Sequence, residues 1–135
     1  MKKIHGIAAS GGIVLGRIAI FHREKHGIPK RNTSDVEAEQ KRFKEALSKA
    51  VDELAELYRR SLKEIGEKNS VIFQIHIMML QDDEFVNAVL DTIRSDHVNA
   101  EYAVWQTGKH FSEHMAKIKN EYLRARAADI KDITY

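Results

Sequence analysis

The pattern of apolar and polar positions divides the chain into a short β segment and a long helical part. Over residues 1–22 apolar side chains alternate with others in two runs, separated by a Ser-Gly-Gly turn at 10–12. Residues 23–33 are charged, contain a Gly and a Pro, and show no periodicity, which predicts a linker. A two-stranded ribbon alone is only marginally stable, so the pattern indicates that the β segment belongs to a larger sheet.

From residue 34 onward, apolar positions recur at helical spacing. The segment SDVE at 34–37 reads as a capping box, in which Ser34 and Glu37 each satisfy a free N–H at the start of a helix. Apolar residues then keep a three–four spacing as far as Ile65, and Gly66 is a typical C-terminal stop. A helix this long with one apolar stripe is expected to pack lengthwise against other helices.

Residues 71–80, VIFQIHIMML, form the most apolar stretch, in which only Gln74 and His76 are polar. A buried strand would fit the composition, but Asn69 or Ser70 can cap a helix, and Met and Leu favour one. A helix that is apolar on all sides needs cover on more than one face. Part of it must therefore contact either other helices of the chain or a partner protein.

Three further helices are predicted after this segment. An acidic run at 82–84 opens one helix, as the helix dipole favours, Asn99 caps another, and the last begins near Asn120. The apolar residues Val104, Thr107, Phe111, Met115 and Ile118 are predicted to line one side of the second of these helices. No stop signal ends the last helix before Tyr135, which suggests a piece of a longer protein.

Composition and charge exclude several classes of protein. Hydrophobic content of 43% and charged content of 31% over 135 residues indicate a folded chain. The absence of Cys excludes disulfides and thiolate sites, and no apolar run approaches the roughly 18 residues of a spanning helix. Positive charge is concentrated in residues 1–31, whereas a nucleic-acid binder carries it on its folded body. We therefore expect neither nucleic-acid binding nor membrane insertion.

The residue patterns predict no catalytic or metal site. His110 and His114 have the spacing of two helical metal ligands, but no third ligand is evident, and exposed helix histidines are far more common. The carboxylates at 82–84 point in different directions around one helical turn, and helix-start electrostatics accounts for them. For His76 two interpretations stay open: a buried, hydrogen-bonded side chain, or one at the rim of a contact surface.

Three segments, GIAASGGIVLG, VIFQIHIMMLQDDEF and EYLRARAADIKDI, together resemble the N-terminal part of Enzyme I, the phosphoenolpyruvate–protein phosphotransferase of the bacterial sugar phosphotransferase system. The resemblance covers essentially the whole chain. It implies a mainly α fold, in which residues 34–135 form an antiparallel helical bundle of two hairpins. Residues 1–22 would be the first strands of an α/β phosphohistidine domain that this chain lacks, and 23–33 the linker. The last helix would continue beyond Tyr135.

The resemblance also implies a function. The whole enzyme takes phosphate from phosphoenolpyruvate, with Mg²⁺, onto a histidine and passes it to the small phosphocarrier protein HPr. It would be cytoplasmic and homodimeric through a C-terminal domain that is absent here. The family's phosphorylated His lies in a Thr-Ser-His segment that this sequence does not contain. We therefore expect this chain to have no catalytic residue and no cofactor of its own, but to retain the HPr-docking domain.

Matching positions place the docking surface on an apolar centre with an acidic rim. Its physical basis would be that the centre excludes water while the acidic residues steer a carrier that is basic around its active histidine. Lys68 and Ile75 depart from the family's pattern of an acidic and a small residue. The implied HPr-binding residues are Glu67, Val71, Ile72, Ile75, His76, Met78, Met79, Asp82, Glu84, Phe85, Met115 and Arg126. The alternative is a structural bundle that homo-oligomerises through 71–80.

We predict that phosphoenolpyruvate and Mg²⁺ do not phosphorylate this chain, because the histidine segment that carries the phosphate is missing. Incubation with radiolabelled phosphoenolpyruvate, followed by a test for acid-labile phosphate, measures this directly. Label on any of the seven histidines would show that the chemistry had been assigned to the wrong part of the protein.

Overall fold

The computed structural model describes residues 7, 11–13, 15–17, 19 and 27–134, except for the side chains of 122 and 123. Five helices follow one another: α1 (Val36–Ile65), α2 (Glu67–Leu80), α3 (Asp83–Asp96), α4 (Ala100–Ala116) and α5 (Glu121–Thr134). α1 packs along α2 and α4 packs along α5, while α3 lies mainly against α4. The described part thus has the mainly α fold of two helical hairpins that the sequence predicted.

The N-terminal β segment is a prediction that the structure does not test. Most of residues 1–22 lie outside the described residues, and so do residues 23–26 of the linker. Among the residues that are described, the backbone pairing outside the helices is a single antiparallel bridge between Asn32 and Val98. The division of the chain into two domains therefore stays a prediction.

The first helix begins one residue later than the capping box predicted, and Ser34 is not its cap. Asp35 takes that position, and its Oδ1 accepts a hydrogen bond from the N–H of Ala38 at 2.9 Å. Thr33 Oγ1 accepts from the N–H of Asp35 at 3.3 Å, which helps to fix the carboxylate there. A charged carboxylate also interacts more favourably with a helix N-terminus than a hydroxyl does. The predicted end, Ile65 followed by Gly66, is confirmed.

The second helix, by contrast, begins earlier than predicted, and neither Asn69 nor Ser70 caps it. It starts at Glu67, after the single connecting residue Gly66, whose φ of 78° favours glycine. Ser70 is fully buried instead, and its hydroxyl donates to the Gly66 carbonyl at 2.8 Å. The Ser61 hydroxyl lies 2.8 Å from the Ser70 hydroxyl. Because Ser70 donates its one hydroxyl proton to Gly66, Ser61 is the donor in this second hydrogen bond. These two small side chains allow α1 and α2 to approach closely.

The core lies where α3 meets α1 and α4. Phe85, Val89 and Ile93 fall on one face of α3, and Phe43 of α1 and Ala103 of α4 are buried with them. Removal of these side chains from water is the main favourable term in holding the helices together. The full buried apolar cluster comprises Phe43, Leu80, Phe85, Val89, Ile93, Val98, Ala100 and Ala103.

The inner side of α4 was predicted only in part: Thr107 is buried, and Val104 and Phe111 pack against the core. The side chains that are buried are mainly small, namely Ala103, Thr107, Gly108 and Ser112. The larger residues that were predicted to line this side are only half-buried, namely Val104, Phe111, Met115 and Ile118. The reason is the close approach of α5. A Cβ atom on Gly108 would lie 2.6 Å from Thr134 Cβ and 2.7 Å from its Cγ2. Ser112 Oγ donates across the same interface to the Ala127 carbonyl at 2.8 Å.

The linker is tied to the start of α4. The N–H of Thr33 donates to the His97 carbonyl at 2.8 Å, and the N–H of Asn99 donates to the Arg31 carbonyl at 3.0 Å. Asn99 is at the predicted cap position, but its Oδ1 accepts from the Arg31 N–H at 2.8 Å rather than from its own helix. The N–H of Ala100 donates instead to Glu39 Oε1 of α1 at 2.6 Å.

Arg42 of α1 joins two carboxylates at this junction. Its guanidinium donates to Glu39 Oε1 at 2.6 Å and to both oxygens of Glu101, at 2.6 and 2.8 Å. These hydrogen bonds lower the pKa of the Glu101 carboxyl to about 2 and also lower the pKa of Glu39. α1 and α4 are thus connected by charge-assisted bonds that depend on ionised carboxylates.

We predict that Gly108→Ala destabilises the protein by about 1–3 kcal/mol, because the added methyl group meets Thr134. Helix propensity alone would give the opposite sign. Urea unfolding followed through the single tryptophan measures the change. His110→Ala, on the exposed side of the same helix, is the control and is expected to change the free energy of unfolding by less than about 0.5 kcal/mol. Equal stability of the Gly108 variant and wild type would contradict the close approach.

We also predict a pH-dependent contribution from Arg42. The lowered pKa of Glu101 gives stability that is fully present above the ordinary pKa of Glu and is lost as the pH falls through the folded value. Wild type is therefore expected to have a stability advantage over Arg42→Gln, measured as the free energy of unfolding, that shrinks as the pH falls from about 5 to about 2. Because the Arg42 and Glu101 side chains are 50% and 44% exposed, the advantage is expected to be at most about 1 kcal/mol.

Urea unfolding at several pH values measures this dependence. Arg59→Gln is a matched control, since Arg59 is on the same helix and pairs with the exposed Glu56 at 2.7 Å. A difference between wild type and Arg42→Gln that is constant with pH would show that the arginine acts only through packing.

Candidate functional site

An open groove of about 400 Å³ lies where α2, the start of α3, α4 and α5 come together. Its lining is mostly apolar, with three charged side chains. The residues are Ile75, Met78, Met79, Asp82, Glu84, Phe85, Phe111, Met115, Arg126, Ile130 and Ile133. We refer to this set as the groove.

Two aromatic side chains connect the groove to the hydrophobic core. Phe85 is 5% exposed and belongs to the core, while Phe111 is half-buried. Their ring centroids are 5.8 Å apart at an interplanar angle of 88°, an edge-to-face arrangement that stabilises aromatic pairs. This part of the groove is therefore held rigidly by the fold.

The α2 side of the groove is flexible in its side chains and open to solvent. Met78 is 71% exposed, although it follows several apolar residues in the chain. Unbranched Met side chains can repack against differently shaped surfaces. Exposed large apolar residues beside a groove are typical of a surface that contacts another molecule.

The start of α3 adds negative charge. Asp82 Oδ1 accepts the N–H of Phe85 at 3.1 Å and caps α3, so the same residue begins the helix and lines the groove. Glu84 is in the first turn and is exposed. The helix dipole favours both carboxylates in this position, and both lie where a bound partner would meet them.

The α5 side contains Arg126 together with Ile130 and Ile133. Arg126 Nη1 donates to Asp129 Oδ2 at 2.6 Å, and the two side chains are only 20% and 17% exposed. Among the described lining residues, Arg126 is the one basic side chain. Its charge is balanced within α5 itself.

His76 lies on α2 outside the groove lining. The residue is half-buried, and its Nε2 atom is buried without a hydrogen-bond partner in the part of the chain that the structure describes. The interpretation of His76 as a buried, hydrogen-bonded side chain therefore gains no support from this nitrogen. His110 and His114 are exposed, and within the described ranges no three His, Asp or Glu side chains gather as metal ligands would.

The structure brings together part of the docking surface that the family resemblance implied. The members that line the groove are Ile75, Met78, Met79, Asp82, Glu84, Phe85, Met115 and Arg126. The other four, Glu67, Val71, Ile72 and His76, lie on α2 outside the lining, and Val71 is 45% exposed. Whether these residues bind HPr stays a prediction.

Three lining residues were missed by the sequence reasoning. Phe111 was predicted on the inner side of α4, and Ile130 and Ile133 of α5 were assigned to no site. The i, i+3 spacing of the two isoleucines places them on one face, but it does not show whether that face meets a helix or an open groove. None of the described helices is both long and apolar enough to cross a membrane.

Comparison with known proteins gives a consistent result. Residues 5–126 match the family described as PEP-utilising enzyme, N-terminal. The phosphoenolpyruvate-protein phosphotransferase of Bacillus sp. (strain S) is 39% identical over 133 residues, which is 98% of this chain and 23% of that protein. The protein of the same name from Bacillus subtilis (strain 168) is 38% identical over 134 residues, 99% of this chain and 24% of its own length. The chain thus spans about a quarter of these relatives.

A solved structure agrees with the fold. The solution structure of Enzyme I (nEIt) superposes with a TM-score of 0.76 at 31% identity, over 82% of this chain and 46% of that one. The N-terminal domain of Enzyme 1 - Nitrogen superposes with a TM-score of 0.73 at 23% identity, which supports the fold alone. The resemblance that the sequence motifs indicated is confirmed by these similarities.

Proposed function

Because this chain belongs to the family of N-terminal regions of PEP-utilising enzymes, we propose that its groove docks the phosphocarrier protein HPr. The whole protein would be a cytoplasmic phosphoenolpyruvate–protein phosphotransferase, using Mg²⁺ and dimerising through another domain. In that enzyme, phosphate passes from phosphoenolpyruvate to a histidine and then to a histidine of HPr. The helical bundle would hold the carrier while the histidine outside this chain transfers the phosphate.

One observation carries the proposal: the bundle leaves an apolar groove open next to exposed Met78. A helix as apolar as α2 would be covered on all sides in a self-contained bundle. Here α2 contacts α1, α3 and α5 but keeps Ile75 and Met79 on the groove. This arrangement suits an apolar patch on a partner, with water excluded from its centre.

The charges beside the groove fit a basic partner. Glu84 is exposed and Asp82 lies two residues before it, both on the groove. Carboxylates at the edge of an interface raise the rate of encounter with a positively charged surface and orient it. Lys68 on α2 is exposed, lies outside the groove lining and opposes this attraction.

Docking contributes to catalysis through proximity. A carrier that is bound at a fixed orientation makes phosphoryl transfer effectively unimolecular, which removes much of the entropic part of the barrier. The docking surface itself needs no catalytic side chain for this purpose. A rigid floor at Phe85 and Phe111 with adaptable methionines at the edge provides both orientation and tolerance.

The alternative, a structural bundle that homo-oligomerises through residues 71–80, has no support from the comparisons. In the structure, this segment is divided between surfaces. Leu80 is buried in the core, and Ile75, Met78 and Met79 line the groove. Its open side chains Ile75, Met78 and Met79 are thus the ones that this proposal assigns to the carrier.

We predict that Met78→Gln weakens HPr binding about fivefold to thirtyfold, corresponding to about 1–2 kcal/mol. Gln has a similar length to Met but leaves a polar amide against the apolar partner surface. Calorimetric or NMR titration with HPr from the same source measures the affinity. Amides of the groove residues are expected to shift on addition of HPr.

Ile65→Gln is the matched control, because Ile65 is also an exposed apolar helix residue, at 55%, and lies outside the groove. It is expected to leave the affinity within about twofold of wild type. Absence of binding at millimolar HPr would rule out the docking function. A stable oligomer at all concentrations, measured by light scattering, would favour the structural bundle instead.

A further inference from the structure

We propose that Asp129 is a positioning residue that fixes the guanidinium of Arg126 on the groove wall, so that Arg126 can donate hydrogen bonds to an acceptor oxygen of the docked partner. The acceptor would be a backbone carbonyl or a side-chain carboxylate. The inference rests on the proposed docking function, and it assigns a role to a residue that does not itself line the groove.

In the Arg126–Asp129 pair both side chains are mostly buried, whereas every other described ion pair of its spacing has at least one exposed side chain. Arg42 and Glu39 are 50% and 15% exposed, and Arg124 and Glu121 are 52% and 91% exposed. The side chains of Arg59 and Glu56 are 67% and 69% exposed, and those of Arg94 and Asp91 are both 67% exposed. The corresponding values for Arg126 and Asp129 are 20% and 17%, with an N–O distance of 2.6 Å. An exposed pair of this kind has little effect on structure, whereas a mostly buried one holds its geometry.

Charge balance is the first consequence of the pair. A guanidinium stays ionised under all physiological conditions. Without a nearby carboxylate, Arg126 would place a poorly screened positive charge on a groove that faces a basic carrier, and like charges across an interface are strongly unfavourable. With Asp129 bound to Nη1, the α5 side of the groove adds no net charge.

Orientation is the second consequence. The guanidinium is planar, and its N–H groups point in fixed directions once one amino group is held. Asp129 follows Arg126 by three residues on the same helix and therefore lies on the same face of α5. It can hold the guanidinium at the groove wall without contacting the partner. Asp82 and Glu84 attract a basic surface, while Arg126 would recognise an acceptor, so the two sides together fix one orientation of the carrier.

The test is a double-mutant cycle measured by HPr titration. Asp129→Asn is expected to weaken HPr binding about threefold to tenfold. In the Arg126→Met background, the same Asn substitution is expected to have no effect within about 1.5-fold, because the group that it positions is gone. Asp129→Glu keeps the carboxylate and is expected to recover at least half of the lost affinity.

Asp91→Asn is the control, since Asp91 pairs with Arg94 at 3.1 Å with the same spacing on α3. Thermal unfolding identifies any variant with a damaged fold. If Asp129→Asn does not fold, Arg126→Met is compared with the double variant, and additional loss in the double variant overturns the inference. Equal affinities of wild type and Asp129→Asn, or an equal loss in both backgrounds, also overturn it. If wild type itself does not bind HPr, the proposed function is wrong. If wild type binds HPr and one of these overturning results is obtained, only the role of Asp129 is rejected.

Discussion

The rest of the structure depends on the close packing of α4 against α5. At Gly108 the two helices are so near that a β-carbon would overlap Thr134, and small residues follow along the same side of α4. Because this side is used for close contact, the large residues Phe111 and Met115 are directed to the neighbouring face. There they meet α2 and α3 and line the groove. The apolar surface available to a partner is thus a result of how tightly the second hairpin closes.

In both hairpins, small polar side chains lie at the contact between the two helices, but their hydrogen-bond partners differ. In the first, the buried hydroxyls of Ser61 and Ser70 form a hydrogen-bonded chain that ends at the Gly66 carbonyl. In the second, Ser112 bonds to the backbone of α5 across a contact made possible by glycine. Small polar residues at these helix contacts satisfy their hydrogen bonds within the protein and occupy little space. The large apolar side chains are therefore located in the core around α3 and along the groove.

Local signals in the sequence predicted the helices well, and the failures occurred where distant residues decide the outcome. Periodicity gives the existence of a helix, and Gly66 marks the end of α1, since both depend on neighbours in the chain. The cap position of α4, Asn99, was predicted, but the partner of its first N–H was not, because that N–H bonds to Glu39, 61 positions earlier. The side of α4 that is buried also depends on α5, whose approach is not encoded in the apolar pattern of α4 itself.

The same distinction applies to the site. Motif resemblance indicated Met78, Phe85 and Arg126, but Ile130 and Ile133 become part of the groove only when α5 is placed beside α2. The binding role of the four α2 residues outside the lining is a matter of the partner's shape, which no feature of this chain specifies. The sequence shows that Arg126 and Asp129 are three residues apart, but the burial of the two side chains results from the fold.

The bridge between the linker and the α3–α4 connection also has a mechanical consequence. Arg31 and Thr33 are hydrogen-bonded to Asn99 and His97, so the linker at these two residues is fixed to the start of α4. From there to Met115 the helix rises about 22 Å, and the groove lies at its far end. The separation of the bonded linker from the groove is therefore set by the length of one helix.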